Sequence, residues 1–313
     1  MNEIKIFCPA TIANLNCGFD VMGLCLDGIG DEMIIRKVAI NGVRISKITG
    51  ADLPLEIEKN VAGVAALALL NNHVLQHGEM DFGFEIEIHK KLKLGSGIGS
   101  SSASAAGAVF GINELLGRPY TKHQLIEFAM KGEVVASGSE HADNVAPCLL
   151  GGFTLVSGYN PLNVIRIDSP IEMYAVVLHP NIELKTSDSR AVLPEYVPLK
   201  DAITQTGNLG GFIAGLFTQD YELIGRSLKD VLIEPARKHL IPYFDAVKKT
   251  AIDNGALGAG ISGAGPSIFA LCKGEANAKI VSNAMQIAFQ DSQLSFDIHL
   301  SLINAEGTKN NLR

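Results

Sequence analysis

Glycines at 95, 97 and 99 interrupt Leu94-Gly-Ser-Gly-Ile-Gly-Ser-Ser-Ser-Ala-Ser-Ala-Ala106, and the small residues behind them suit a helix. Glycine lets backbone amides turn toward an anion with no Cβ in the way, and a helix N-terminus adds unpaired N–H groups and a positive dipole end. The preceding Phe84-Glu-Ile-Glu-Ile-His89 alternates apolar and polar residues, the period of a half-buried strand. After the loop, Ala105, Ala108, Val109, Ile112, Leu115 and Leu116 recur at helical spacing, and Gly117-Arg-Pro119 supplies a stop. Strand, glycine loop, helix is the order a phosphate cradle needs. A tight packing turn of small residues is the alternative.

Two common nucleotide motifs are excluded. A Walker A loop needs Gly-Lys followed by Ser or Thr, and the chain contains no Gly-Lys dipeptide. Gly258-Ala-Gly-Ile-Ser-Gly263 has the spacing of the dinucleotide fingerprint, but that motif needs a strand before it and a helix after it. Here Tyr243 to Asn254 is spaced like a helix and Ser267 to Cys272 like a strand.

The chain has 313 residues, 47% hydrophobic, enough for one large or two ordinary domains with a real core. A formal charge of −7 argues against nucleic acid or an anionic membrane as partner. Cys8, Cys17, Cys25, Cys148 and Cys272 lack the close pairing of zinc or redox motifs and read as reduced, buried thiols of a cytoplasmic protein. The N-terminus carries no secretory pattern, and the longest apolar stretch, Val64 to Leu70, is too short to span a bilayer.

Strands are expected at Ile4–Cys8, Met33–Val38, Phe84–His89, Phe153–Ser157, Tyr174–His179, Ser267–Cys272 and Phe296–Leu302. Helical windows fall near 60–77, 101–116, 121–137, 201–217, 219–231 and 240–254. The elements do not alternate strictly, which favours α+β layers. The turn-rich Ser157 to Asn163 is either a domain junction or a hairpin, and the polar span Pro180 to Pro198 reads as a functional loop.

Three motifs in order, Pro9-Ala-Thr-Ile-Ala-Asn-Leu15, Gly95 to Ala103 and Gly258 to Ser267, resemble the GHMP kinase superfamily. Asn14-Leu-Asn-Cys-Gly-Phe-Asp20, His141-Ala-Asp-Asn144, Thr186 to Pro194 and Glu234-Pro-Ala-Arg237 narrow the likeness to its homoserine kinase branch. The resemblance implies a two-domain α+β fold: a ribosomal protein S5 domain 2-like part over residues 1–158, which binds ATP, and a ferredoxin-like part over 159–313. It implies a homodimer, ATP held by Lys93, Leu94, Gly95, Ser96, Gly97, Ile98, Gly99, Ser100, Ser101 and Ser102 with Asn60 near the adenosine, and Mg²⁺ on Ser101 and Glu133. Where the family usually has proline before the loop, Lys93 stands instead, a cation within possible reach of phosphate.

The implied substrate, L-homoserine, carries an ammonium, a carboxylate and a hydroxyl. By resemblance Arg190 and Arg237 take the carboxylate, assisted by His141; Asp20 meets the ammonium; Asn14 and Thr186 lie near the hydroxyl. Asn14, Asn144 and Arg190 form the expected catalytic group. Asn144 stands where related kinases have an aspartate base, and an amide cannot accept the hydroxyl proton. The loose transition state of phosphoryl transfer lets positioning and charge neutralisation carry the rate, with Asp143 as the rival base. Other readings are a GHMP kinase for threonine or mevalonate, or a catalytically silent nucleotide-binding regulator. Mevalonate lacks the ammonium that Asp20 would meet.

Overall fold

The computed structural model describes residues 1–311. Strand β1 (Glu3–Ala13) runs antiparallel to the long β2 (Met22–Val38), which pairs in turn with β4 (Gly83–His89), and β4 runs parallel to β3 (Val43–Thr49). The start of β2 also pairs with β5 (Phe153–Tyr159), which forms a hairpin with β6 (Leu162–Ile167). A second sheet of four antiparallel strands has the order β10-β7-β9-β8, formed by β7 (Met173–Pro180), β8 (Gly258–Ile261), β9 (Ile268–Lys273) and β10 (Phe296–Leu302). With helices in the connections, that order is the ferredoxin-like arrangement expected from the sequence.

Helices α1 (Val61–His77), α2 (Ser100–Leu115) and α3 (Lys122–Ser137) pack together over the first sheet. Helix α2 is almost wholly buried, and its small residues let it lie directly on β1 and β2. A Cβ on Gly107 would fall 2.3 Å from the Cys8 sulfur, and one on Gly111 2.2 Å from Ile6 Cδ1. Helix α3 starts at a capping box, Thr121 with Gln124, and ends at Gly138 in the left-handed region, so its length and phase are fixed at both ends. After the short α4 (Val145–Leu150) and the two sheets' connecting strands come α5 (Thr186–Ala191), α6 (Leu199–Thr218), α7 (Tyr221–Ser227) and α8 (Glu234–Arg237). Helices α9 (Phe244–Asp253) and α10 (Glu275–Gln290) cover the second sheet.

All seven strands expected from alternation are present. The window 219–231 holds only α7, because the Asp230 carboxylate accepts from the amides of Leu232, Ile233 and Glu234 and opens a new turn there. Ser157 to Asn163 is the β5–β6 hairpin of the first sheet, so a division at 158/159 would cut a strand pair. The last strand among the described residues, β11 (Lys309–Asn310), returns to β1 and so lies on the first sheet. We propose the boundary between Ile167 and Met173, with residues 303–311 assigned to the first domain. Gly258 to Gly263 forms β8 and the turn into β9, not a strand-to-helix junction. No described helix is long and apolar enough to cross a membrane.

Candidate active site

Strand β1 leaves the first sheet through a turn in which Asn14, Leu15 and Asn16 take φ values of 73°, 47° and 60°. Three successive non-glycine residues with positive φ store strain, and the side chains hold them there. Asn14 Nδ2 donates to the Gly263 carbonyl (2.7 Å), and Asn16 Nδ2 donates to those of Leu228 (2.9 Å) and Ala259 (3.1 Å), tying the first domain to the second. Asn14 Oδ1 accepts the Asp20 amide at 3.0 Å, which aims Phe19 and Asp20 into a cavity of about 690 Å³.

The glycine loop forms one wall. Gly95, Gly97 and Gly99 all have positive φ, at 63°, 77° and 71°. Two of them also admit no side chain: a Cβ on Gly97 would lie 2.6 Å from the carbonyls of Ser262 and Gly265, and one on Gly99 2.0 Å from Thr11 Oγ1. The first and third sequence motifs brace the second. Ser262 Oγ donates to the Gly97 carbonyl (2.7 Å), Ser267 Oγ to that of Ser96 (2.6 Å), and the Thr11 amide to that of Ile98 (3.1 Å). With those carbonyls turned into the protein, the N-terminus of α2 opens to the cavity at Ser100 and Ser101.

Beneath the loop, Lys90 is paired with Asp31, and their side chains are 1% and 2% exposed. Lys90 Nζ also donates to the Ser100 carbonyl (2.7 Å) and Ser104 Oγ (3.1 Å), while Asp31 Oδ1 accepts the amides of Lys91 (2.7 Å) and Leu92 (2.9 Å). The sequence analysis passed over this pair, because nothing in local spacing links residue 31 to residue 90. Asn60 lines the cavity as the N-cap of α1: Oδ1 accepts the Ala62 amide at 3.0 Å, and Nδ2 donates to the Pro54 carbonyl at 2.8 Å.

Ser101 Oγ donates to Glu133 Oε2 at 3.1 Å, and Glu133 Oε1 is buried with no partner. Burial pushes Glu133 up to about 7 against the hydrogen bonds of Ser101 and Ser102. A buried carboxylate with an unfilled oxygen beside a hydroxyl and a helix N-terminus suits a hard divalent cation that takes its other ligands from phosphate and water. Among the described residues no group of three or more His, Cys, Asp or Glu is arranged to hold a metal, so these two oxygens are not part of an all-protein cage.

The opposite wall carries the cations. Arg237 is buried, donates through Nε to the Ser189 carbonyl (2.9 Å) and lies 5.0 Å from the Phe19 ring centre; Arg190 lies 5.7 Å from the same ring. Burial, and next the neighbouring Arg190, draws Arg237 down to about 10, so it stays charged at neutral pH. Arg190 donates to Asp20 (2.9 and 3.2 Å) and to His141 Nε2 (3.0 Å). Arginine has no acceptor, so Nε2 accepts and the imidazole is neutral with its proton on Nδ1, in keeping with a lowering caused first by burial. Thr186 opens α5, the short helix that presents Arg190 inside the polar span the sequence marked. Asn144 Oδ1 accepts from Thr11 Oγ1 at 2.7 Å. Asp143 is buried beside it, raised to about 7 by desolvation first and then by Asp20 and Glu133.

Every expected site residue but three lines this cavity. Lys93 turns away, pairing with Asp297 at 2.6 Å on the surface and bonding to Asn181, so it does not reach toward phosphate. Ile98 is packed into the core, and Ser102 lies under the loop beside Glu133. Thr11, Phe19, Ser262 and Ser267 are site-building residues that lay inside quoted motifs without an assigned part.

Residues 59–152 match the family described as GHMP kinases N terminal domain, and residues 212–291 the one described as GHMP kinases C terminal. Homoserine kinase of Chlorobium phaeobacteroides (strain BS1) is 45% identical over 319 residues, covering 99% of each chain. That of Chlorobium phaeovibrioides (strain DSM 265 / 1930) is 46% identical over 319 residues with the same coverage. The crystal structure of homoserine kinase from Cytophaga hutchinsonii matches with a TM-score of 0.94 at 47% identity, over 99% of this chain and 98% of that one. A cradle at a helix N-terminus, three mutually braced motifs and full-length likeness agree: the chain belongs to the GHMP kinases and, within them, to the homoserine kinase family.

Proposed function

We propose that the protein transfers the γ-phosphate of ATP to the side-chain hydroxyl of L-homoserine, giving O-phospho-L-homoserine on the route to threonine. The observation that carries this reading is one cavity of about 690 Å³ holding the glycine cradle on one wall and Arg190, Arg237 and Asp20 on the other. A phosphate chain needs the first wall, and an amino acid's carboxylate and ammonium need the second.

The residues divide the work as follows. Amides at Ser100 and Ser101 and the end of α2 stabilise phosphate charge. Ser101 and Glu133 hold Mg²⁺, which when bound neutralises charge on the phosphates. Arg190 and Arg237 fix the substrate carboxylate, Asp20 the ammonium, and Asn14, Thr186 and Asn144 bound the space left for the hydroxyl. Phe19 lies under both guanidinium groups and limits their freedom. Attack is in line, and the proton leaves late, to phosphate or water. A homodimer and a cytoplasmic location complete the reading; the five free cysteines are all buried, as suits a reducing compartment.

The test is ADP release with homoserine, threonine, mevalonate and galactose at equal concentration. Homoserine should give the highest kcat/KM. A threonine preference moves the reading to a neighbouring activity, and no turnover with any of the four points to a regulator.

A further inference from the structure

His179, near the end of β7, is buried, does not line the cavity and has no part in the division of work given above. Its strand neighbours sort by face. Ala175 and Val177 lie in the first core and Val176 and Leu178 in the second, so alternation turns His179 toward the first domain. There its Nδ1 lies 3.1 Å from Ser267 Oγ. The Ser267 hydroxyl has one proton and gives it to the Ser96 carbonyl at 2.6 Å. Nδ1 must therefore donate, which fixes the neutral tautomer with its proton on Nδ1. Burial, and next the cation of Lys93, draws His179 down to about 4, so the ring is neutral at neutral pH. A buried imidazole costs stability unless it is hydrogen-bonded, and the bond this one makes leads to the glycine loop.

We propose that His179 is a positioning residue for the phosphate cradle, acting through Ser267 on the Ser96 carbonyl. The carbonyl and the amide of one trans peptide point in opposite directions. Holding the Ser96 carbonyl against the second sheet thus aims the Gly97 amide the other way, and Gly97 lines the cavity. Donation from Nδ1 leaves the serine proton free for Ser96 and polarises the hydroxyl, which strengthens that bond. The entry to the loop rests on the same patch. Lys93 pairs with Asp297, the residue opposite His179 on β10, and bonds to Asn181, two residues beyond His179. The loop is thereby anchored to the second domain at two further points, Lys93 and Ser96. The proposal rests on ATP occupying the cradle, as in the function proposed above.

Two amide side chains separate this role from mere bulk and polarity. Asparagine carries its N–H donors near the position of Nδ1, and glutamine carries them farther out, near Nε2. His179→Gln should raise the KM for ATP by about threefold to tenfold, the worth of a neutral hydrogen bond, with kcat and the KM for homoserine nearly unchanged. His179→Asn should recover most of that loss. Ser267→Ala should weaken ATP binding at least as much, and His179→Gln added to it should cost nothing further, because the histidine acts through the hydroxyl. Circular dichroism melts confirm that each variant folds. Calorimetric titration of the native protein with ATP tests the reading beneath: no binding there would remove the kinase reading and the proposal together. A native ATP KM in His179→Gln, an equal rise in the KM for homoserine, no recovery in His179→Asn, or full additivity with Ser267→Ala would each overturn the proposal alone. Should His179→Gln fail to fold, a native ATP KM in Ser267→Ala would overturn it equally.

Discussion

Two cation–carboxylate pairs, one beneath the glycine loop and one lining the cavity, differ in almost every respect. Lys90 and Asp31, under the glycine loop, are 1% and 2% exposed and bond to Ser100, Ser104, Lys91 and Leu92 as well as to each other. Arg190 and Asp20, on the other wall, are 33% and 29% exposed, and Arg190 Nε is buried without a partner. The first pair is saturated and holds a backbone shape. The second has capacity left over and sits on a helix of six residues. A zwitterion can replace both halves of such a pair at once, its carboxylate meeting the arginine and its ammonium the aspartate. The phosphate wall is therefore built before substrate arrives, while the amino-acid wall is held by an internal stand-in for the substrate.

The largest effect should come from breaking the saturated pair. Lys90→Met leaves Asp31 charged and buried, which costs about 3–5 kcal/mol of stability. Urea unfolding followed by circular dichroism measures it. A loss below about 1 kcal/mol would mean that the Asp31 site admits water and that the two walls do not differ as described.

The glycine wall comes next. Gly97→Ala adds a left-handed penalty of about 1–2 kcal/mol to a Cβ that would stand 2.6 Å from two carbonyls. ATP affinity should fall far more than stability, since displacing the Ser262 backbone also displaces the Oγ that donates to the Gly97 carbonyl and braces the cradle. Nucleotide titration calorimetry separates the two effects, and wild-type affinity in Gly97→Ala would show that the brace does not shape the nucleotide site.

The contrast between these walls also explains what could be read without coordinates. Strands such as Phe84–His89 carry an alternation that burial imposes on any half-covered sheet, and the glycine loop announces itself because positive φ and absent Cβ both demand glycine. Strand β8 was passed over because Gly-Ala-Gly-Ile carries no alternation. Helix α10 was missed despite a signal, since Ala278, Val281, Met285 and Phe289 recur at helical spacing after Gly274. Arg190 and Arg237 were legible only through motif likeness, as their common neighbour Phe19 is far from both in sequence. The Lys90–Asp31 pair was illegible because β2 and the loop after β4 meet only through sheet pairing.

Arg190→Ala tests the exchangeable wall. Stability should change by less than about 1 kcal/mol, as for other half-exposed ion pairs. The KM for homoserine should rise by about tenfold to a hundredfold, the worth of a hydrogen bond to a charged group. ATP affinity should be unaffected. If ATP affinity falls as much as homoserine affinity, the two walls act as one unit, and the comparison fails.

Asp143 is where the walls meet, and its variant should have the smallest effect. Desolvation, with Asp20 and Glu133 behind it, raises its carboxyl from 3.8 to about 7. Between those values the folded protein holds more protons than the unfolded chain, so stability is greatest at low pH and declines as pH rises toward 7. One such group contributes a slope of at most about 1.4 kcal/mol per pH unit. Glu133, raised to about 7 in the same direction, keeps part of that slope in Asp143→Asn, so the variant should show a shallower decline rather than none. Denaturant midpoints at several pH values between 4 and 7 measure it. For turnover, base-free transfer predicts that Asp143→Asn loses less than about tenfold in kcat. A general base contributes about 10²–10⁴-fold, so a loss of that size with homoserine affinity intact would make Asp143 the proton acceptor and assign proton removal to a residue between the two walls.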